Sequence, residues 1–203
     1  SVPHGSLEPE QQQLIVHVTE EYRQSLLFST DRPEAQLALA QLYRQQGKLS
    51  AAETAFKEAL RLQPQYVPAT INYANFLQQQ QNESASFEIL QQGLKFNKNA
   101  SLYHALGLWY VRNQDKAQGI VNLQKAAELS PELALHQYVY AIAIYDQHPK
   151  QAIQVLEAAL QHHTGNIQLL TALASYYQEL GETTKSAFYR NKAESVMQYK
   201  PEI

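Results

Sequence analysis

Histidine is the first residue to consider in a search for chemistry, since a site needs a nucleophile beside a base, paired carboxylates or clustered metal ligands. The 203-residue chain has no cysteine and seven histidines. They are His4, His17, His104, His136, His148, His162 and His163. None forms an HExxH-type pair, and the adjacent His162 and His163 would point to different faces of a helix. The aspartates Asp31, Asp115 and Asp146 each lie near a turn, where helix capping explains them.

Other catalytic motifs are also missing from the sequence. It contains no G-x-S-x-G nucleophile turn, no P-loop and no dinucleotide-binding glycine pattern. Because cysteine is absent, this chain cannot form disulfides, thiolate metal sites or covalent c-type haem attachments. We therefore predict that the protein is not an enzyme, with no catalytic residues, no metal site and no cofactor.

Charge and hydropathy restrict the class of partner. The net charge is −3, and scattered lysines and arginines form no basic stripe, which argues against nucleic acid. The longest nearly apolar run, Tyr138–Tyr145, is too short to span a bilayer, so membrane insertion is not expected. Residues 1–13 are polar and lack a signal-peptide pattern. Residues 1–8 are interpreted as a disordered lead-in.

A pattern between residues 33 and 66 predicts the elements that would position any functional group. Its members are Leu39, Ala40, Tyr43, Gly47, Ala52, Phe56, Ala59 and Pro64. The two alanines at 40 and 52 are small where two helices would cross closely, and Gly47 lets the backbone turn out of the first helix. Ser50 with Glu53 predicts a capping box opening the second helix. Pro64 prevents that helix from continuing.

The same spacing recurs along the chain, with variations. Further units are predicted at 67–99, 100–133, 134–166 and 167–200. In the unit at 134–166 the turn is one residue shorter, and Pro149 suits the first position of its second helix. Residues 9–32 carry one amphipathic stripe, which includes Leu14, Ile15, Val18 and Tyr22, and predict half a unit or a capping helix.

This pattern resembles the tetratricopeptide repeat, a helix–turn–helix unit of 34 residues. The resemblance implies an all-α fold, a right-handed α-solenoid of tandem hairpins, with residues 9–203 as a single domain. It also implies a module that holds another protein or peptide. In this family the first helix of each hairpin lines a concave groove. The corresponding positions here are Leu37, Gln41, Arg44, Ile71, Asn72, Asn75, His104, Leu108, Arg112, Tyr138, Ile142 and Tyr145.

These positions predict an apolar, aromatic middle with amide-rich flanks. Leu108, Tyr138, Ile142 and Tyr145 are candidates for holding an apolar anchor, while the amides Gln41, Asn72 and Asn75 would bond a peptide backbone. The alternative is that the apolar side chains pack between successive hairpins. The family's basic clamp for chaperone tails is absent, because Leu37 and Gln41 replace its first lysine and asparagine, and Ser101 and Ala105 replace a later basic pair.

A second resemblance concerns the wider protein. Runs such as EEYRQSLLFSTDRPEAQLALAQLY and YVYAIAIYD resemble the C-terminal repeat region of bacterial multihaem c-type cytochromes, whose haem domain precedes the repeats. It implies a periplasmic docking or regulatory half of a redox enzyme. Our main interpretation is a non-catalytic protein- or peptide-binding module, part of a longer bacterial protein, in the periplasm or the cytoplasm. A self-associating scaffold, pairing weakly through a terminal helix, is a third possibility.

Overall fold

The computed structural model describes residues 9–198, and the side chains from residue 17 onward. Within that range every regular element is an α-helix. The chain divides into two compact units at Asn97 and Lys98. The predicted lead-in at 1–8 and the end of the last unit at 199–200 lie outside the described residues, and so do the side chains of Leu14 and Ile15. The single domain over 9–203 stays a prediction.

The first unit contains one leading helix and two helical hairpins. Its helices are α1 (Pro9–Leu27), α2 (Pro33–Gln45), α3 (Leu49–Leu62), α4 (Val67–Gln79) and α5 (Glu83–Phe96). Ala40 and Ala52, where α2 and α3 pack together, are fully buried. The rings of Phe56, Tyr73 and Phe76 fill the adjoining space, with centroids 5.4–6.3 Å apart. Small residues thus let the helices approach, and aromatic residues fill the interior beside them.

The second unit contains three hairpins. Its helices are α6 (Ala100–Arg112), α7 (Lys116–Leu129), α8 (Ala134–Ile144), α9 (Pro149–His162), α10 (Ile167–Glu179) and α11 (Thr183–Gln198). The α6–α7 crossing is so close that it requires glycine. A Cβ on Gly107 would lie 2.8 Å from Leu123 Cγ, and one on Gly119 would lie 2.6 Å from Val111 Cγ2. Pro149 begins α9, as predicted.

The turns between paired helices share one backbone conformation in four of the five hairpins. Gly47 and Gly181 have φ values of 72° and 76°, and Gln81 and Gln114 have φ values of 60° and 65°. The left-handed region costs a glycine little and a glutamine about 1–2 kcal/mol. The predicted role of Gly47 is therefore confirmed, and two glutamines adopt the same conformation under strain.

Two capping predictions were wrong. Helix α3 begins at Leu49 after Lys48, which makes no side-chain cap bond, so Ser50 already lies inside the first turn and no capping box forms. Glu53 instead pairs with Lys57 Nζ at 2.8 Å and accepts a hydrogen bond from the Tyr73 hydroxyl. Among the aspartates, only Asp115 caps a helix, α7. Asp146 instead forms an ion pair with Lys116. Asp31 does not cap α2, because the N-cap residue of that helix is Arg32, which makes no side-chain cap bond.

Candidate partner-binding surfaces

In the first unit, the predicted groove amides on α2 and α4 meet. Gln41 Nε2 donates to Asn72 Oδ1 at 3.2 Å, and Asn72 Nδ2 donates to the Pro68 carbonyl at 2.8 Å. Arg44 donates to the side-chain oxygen of Gln79 at 3.3 Å. Both amides of the Gln41–Asn72 pair are half-buried. The pair is held in place by its own bonds while keeping hydrogen-bonding capacity, since each amide has two donors and an acceptor.

The remaining predicted positions of the first unit differ in exposure. Leu37 is only 8% exposed and packs in the hydrophobic core with Leu39 and Phe56, so it offers a partner little surface. Ile71 is half-buried, and Asn75 is exposed. An amide patch of Gln41, Asn72 and Asn75 is therefore the part of the predicted surface that the first unit presents.

In the second unit, α8 and α10 border a surface cleft. Its lining residues are Tyr138, Ile142, Ile167, Gln168, Thr171, Ala172, Ser175 and Tyr176. Tyr138 and Tyr176 also pack against the hydrophobic core, whereas Ile142 is 45% exposed. An exposed isoleucine is thus flanked by fixed aromatic rings and by short polar side chains. Such a cleft suits one apolar side chain and a few hydrogen bonds.

Tyr145 lies beside this cleft and takes part in packing. Its ring stacks on that of Tyr176, and its hydroxyl donates to the Tyr176 carbonyl at 3.4 Å. Burial and the nearby Glu179 carboxylate raise the pKa of Tyr145 to about 12. Its hydroxyl therefore remains protonated and able to donate at neutral pH. Much of the Tyr145 ring therefore packs against other residues of the second unit.

The predicted residues on α6 have different surroundings. Leu108 packs against the core of the second unit, and Arg112 is exposed at the end of the helix. His104 is half-buried, and its Nδ1 lies 3.1 Å from Nδ1 of His136 on α8. Burial lowers the pKa of His104 to about 4 and also lowers that of His136. Both imidazoles are therefore neutral at physiological pH.

Sequence reasoning missed two residues that matter at these surfaces. Tyr176 lines the cleft and stacks on Tyr145. The only feature of the sequence that points to Tyr176 is its position next to the core residue Tyr177. His136 contacts His104 from the next hairpin, and their separation of 32 residues is close to one repeat length. No cluster of three or more potential metal ligands occurs among the described residues.

The fold defines a class of protein, an all-α chain of tandem helical hairpins. Models of the tetratricopeptide repeat match residues 44–107 and 100–133. Residues 44–133 therefore consist of tetratricopeptide repeats. This confirms the resemblance to that repeat and the fold class that it implied.

Solved structures with the same fold include three named proteins. MamA is 20% identical, with 84% of this chain and 97% of that chain covered and a TM-score of 0.64. YrrB, described as a TPR protein with an unusual peptide-binding site, is 16% identical, with coverages of 88% and 93% and a TM-score of 0.60. PilF from Pseudomonas aeruginosa is 18% identical, with coverages of 87% and 83% and a TM-score of 0.67. No curated protein matches the chain.

The fold supports a coarse statement of function. Tetratricopeptide proteins are generally non-catalytic scaffolds that bind proteins or peptides, and this chain has the fold of a protein–protein interaction module. In the part of the chain that the structure describes, no helix has both the length and the apolar character needed to cross a membrane.

Proposed function

We propose that the chain is a non-catalytic module that binds a peptide segment of a partner protein, and that the cleft of the second unit takes an apolar side chain of that segment. The observation that carries the proposal is Ile142. It is 45% exposed, yet it lies in a cleft walled by the tyrosine rings of residues 138 and 176. Binding surfaces depend on a few such anchors that lose water on contact.

Polar groups around the cleft would fix the orientation of the bound segment. Gln168, Thr171 and Ser175 on α10 line the same cleft and bring amide and hydroxyl groups within reach of a peptide backbone. The amide patch of the first unit offers the same chemistry on a separate surface. YrrB, which shares this fold, is described as having a peptide-binding site, and this supports the class of ligand.

A displayed library of random peptides tests the proposal without a known partner. Peptides selected on the unmodified protein should be enriched in apolar or aromatic residues. Ile142→Lys should then weaken binding of a selected peptide by more than tenfold, or about 1.4 kcal/mol, because a charge would occupy the apolar cleft. Tyr138→Ala should do the same by removing one wall.

Val121→Lys is the matched control, because Val121 is also 45% exposed and lies in the same unit on α7, outside the cleft. It should leave binding unchanged. Equal loss with Val121→Lys and Ile142→Lys would refute the cleft as the site, and so would selected peptides that bind Ile142→Lys as tightly as the unmodified protein. The docking half of a redox enzyme stays a prediction from the sequence.

A further inference from the structure

Helix α1 exposes two apolar side chains at positions that α3 buries. Val18 and Tyr22 are 53% and 52% exposed. They lie 34 residues before Ala52 and Phe56 of α3, which are 0% and 1% exposed. Because 34 residues is the length of one repeat, α1 corresponds to the second helix of a hairpin, and its exposed pair corresponds to core positions.

The position of Val18 recurs in each later hairpin of the described residues, at intervals of 33 or 34. Its counterparts are all small and buried: Ala52, Ser86, Gly119, Ala152 and Ser186. The Ser186 hydroxyl donates to the Ala174 carbonyl on α10 at 2.8 Å. A Cβ on Gly119 would lie 3.2 Å from the Gly107 carbonyl oxygen on α6. This position of a second helix is therefore the point where the first helix of the same hairpin crosses it.

The first helices share one pattern at this crossing. A small residue follows a bulky one, and a second bulky residue comes three positions later. The sets are Leu39, Ala40 and Tyr43; Tyr73, Ala74 and Leu77; Leu106, Gly107 and Tyr110; Tyr140, Ala141 and Ile144; and Leu173, Ala174 and Tyr177. The small residue lets the two helices approach, and the bulky residues fill the space beside the crossing. A helix that covers this surface therefore needs the pattern bulky–small–x–x–bulky.

At α1 the corresponding surface borders a cleft with α2. The cleft is lined by Val18, Thr19, Tyr22, Ala38, Gln41, Leu42 and Gln45. Its volume of about 270 Å³ is below that of small-molecule pockets, about 300–1,000 Å³, so it suits a few side chains of a protein. Leu42 is buried and Ala38 is half-buried. The cleft thus continues the helix-packing interface of the first hairpin.

The contact between α2 and α4 indicates which polar group a helix in this cleft should carry. Arg44 of α2, four residues after the small Ala40, donates to Gln79 of α4 at 3.3 Å. The counterpart of Gln79 on α2, 34 residues earlier, is Gln45. Its exposed amide lines the cleft. A basic residue four positions after the small residue would therefore donate to Gln45 in the same way.

We infer that the α1–α2 cleft is a docking site for one amphipathic helix of a partner protein. The helix has the pattern bulky–small–x–x–bulky, with a basic residue directly after the second bulky one. Its small residue packs on Val18, and its basic residue bonds to Gln45. Docking removes Val18 and Tyr22 from water and extends the stacking of helices by one position. An apolar groove commonly binds one face of an amphipathic helix in this way. The inference does not depend on the cleft of the second unit.

A second copy of the chain matches this cleft less well than such a helix. Its first helices bury their small residues within their own hairpins, as the fully buried Ala40 shows. The surface that it can offer is α1 itself, where Glu20 and Glu21 lie between Val18 and Tyr22. Two copies paired there would bring like charges together, which disfavours the contact. A basic partner helix complements the same charges and should displace a second copy.

A labelled synthetic peptide tests the inference by fluorescence anisotropy. The peptide copies residues 32–46 of this chain, which hold the required bulky, small and basic residues in order: Leu39, Ala40, Tyr43 and Arg44. Two EAAAK units follow it, because isolated helices shorter than about 12–15 residues are marginal and this sequence favours helix. We expect saturable binding of one peptide per chain.

Substitutions on either side of the crossing should weaken this binding. Val18→Lys and Tyr22→Lys in the protein should each weaken it by about tenfold or more. Their melting temperatures should stay near that of the unmodified protein, because both side chains are about half exposed. A peptide with Ala40→Leu should also bind about tenfold more weakly or worse, because a large residue overpacks the crossing.

Phe96→Lys is the matched control, because Phe96 is an exposed apolar residue of the same unit on α5, outside the cleft. It should bind the peptide as the unmodified protein does, and so should Ile142→Lys. The inference is overturned if the peptide does not bind, if Val18→Lys retains the affinity, or if Phe96→Lys loses it. Loss of binding in Ile142→Lys alone would place the peptide in the cleft of the second unit and would also overturn it.

Sedimentation with and without the peptide distinguishes the partner helix from a second copy. Saturating peptide should leave the protein monomeric. A dimer that persists at saturating peptide and is lost in Val18→Lys would make a second copy the occupant, and would overturn the inference.

Discussion

The ring of Tyr145 lies flat against the ring of Tyr176, with centroids 3.5 Å apart and planes only 11° from parallel. Tyr145 follows the end of α8, and Tyr176 belongs to α10, so this stack joins neighbouring hairpins of the second unit. Both rings also pack against the core. The contact gives Tyr145 a packing role in addition to its predicted groove role.

Tyr145→Ala should therefore lower stability. Removing a packed aromatic ring from a core costs about 3–5 kcal/mol, and this half-buried ring should cost somewhat less. Thermal melting followed by circular dichroism measures the effect. Ile142→Ala, three residues earlier on α8, is the comparison, and it should melt nearer to the unmodified protein because the Ile142 side chain is 45% exposed. Equal melting temperatures for Tyr145→Ala and the unmodified protein would assign Tyr145 to the binding surface alone.

Gly107→Ala should destabilise the second unit. The added Cβ would lie 2.8 Å from Leu123 Cγ and 3.1 Å from the Leu123 backbone nitrogen, so α6 and α7 would have to separate. Overpacking of this kind costs about 1–3 kcal/mol, measurable by urea unfolding. Gly165→Ala is the control, since its Cβ would meet only Val196 at 3.9 Å. A Gly107→Ala variant as stable as the control would show that the crossing relaxes freely.

Gln81→Gly should stabilise the first unit. Gln81 has a φ of 60°, which costs a non-glycine residue about 1–2 kcal/mol, while glycine loses about 0.5–1 kcal/mol more chain entropy on folding. The net gain is therefore between zero and about 1.5 kcal/mol. Gln80→Gly is the control, because Gln80 has an ordinary φ of −84° and only the entropy loss applies. A lower melting temperature for both variants would contradict the strain at Gln81.

Stability should fall as the pH drops below about 6.5. The folded pKa of His104 is lowered from 6.5 to about 4, and that of His136 is lowered too. Unfolded chains then take up protons that the folded protein refuses, so the free energy of unfolding declines from about pH 6.5 down toward pH 4. Above that window the pair has no effect.

Urea unfolding between pH 7.5 and pH 5, with a chelator present, measures this decline before the carboxylates titrate. His104→Gln should flatten the pH profile, and the exposed His148→Gln should not. An unchanged slope in His104→Gln would assign the decline to other groups.

Weak self-association through α1 is the last prediction. Val18 and Tyr22 on α1 are exposed, and Phe28 just after it is 89% exposed, so this helix carries apolar surface that a second copy would cover. Sedimentation at rising concentration should show a reversible dimer that Phe28→Ser weakens. Phe96→Ser, on the exposed end of α5, is the control. A strict monomer at high concentration would make α1 a cap for the first hairpin.

Local patterns in the sequence determined the hairpins. The small residues at 40 and 52, the apolar residues at helical spacing and the turn at Gly47 each act within about 34 residues. Because a repeat unit contacts mainly its neighbours, such local signals are sufficient to predict the fold class. They were insufficient at the helix starts, where Ser50 lies two residues beyond the N-cap position of α3 and so cannot cap the helix.

Only the tertiary structure decided which side chains of the predicted surface meet and which are buried. Leu37, Gln41 and Arg44 occupy similar positions on one helix, yet Leu37 packs in the core while Gln41 bonds to Asn72 on α4. These outcomes depend on the rotation and spacing of adjacent helices. A repeat pattern does not determine either of these accurately enough to place an individual side chain. The pairing of His104 with His136 has the same origin, since two residues 32 apart become neighbours only when their hairpins pack.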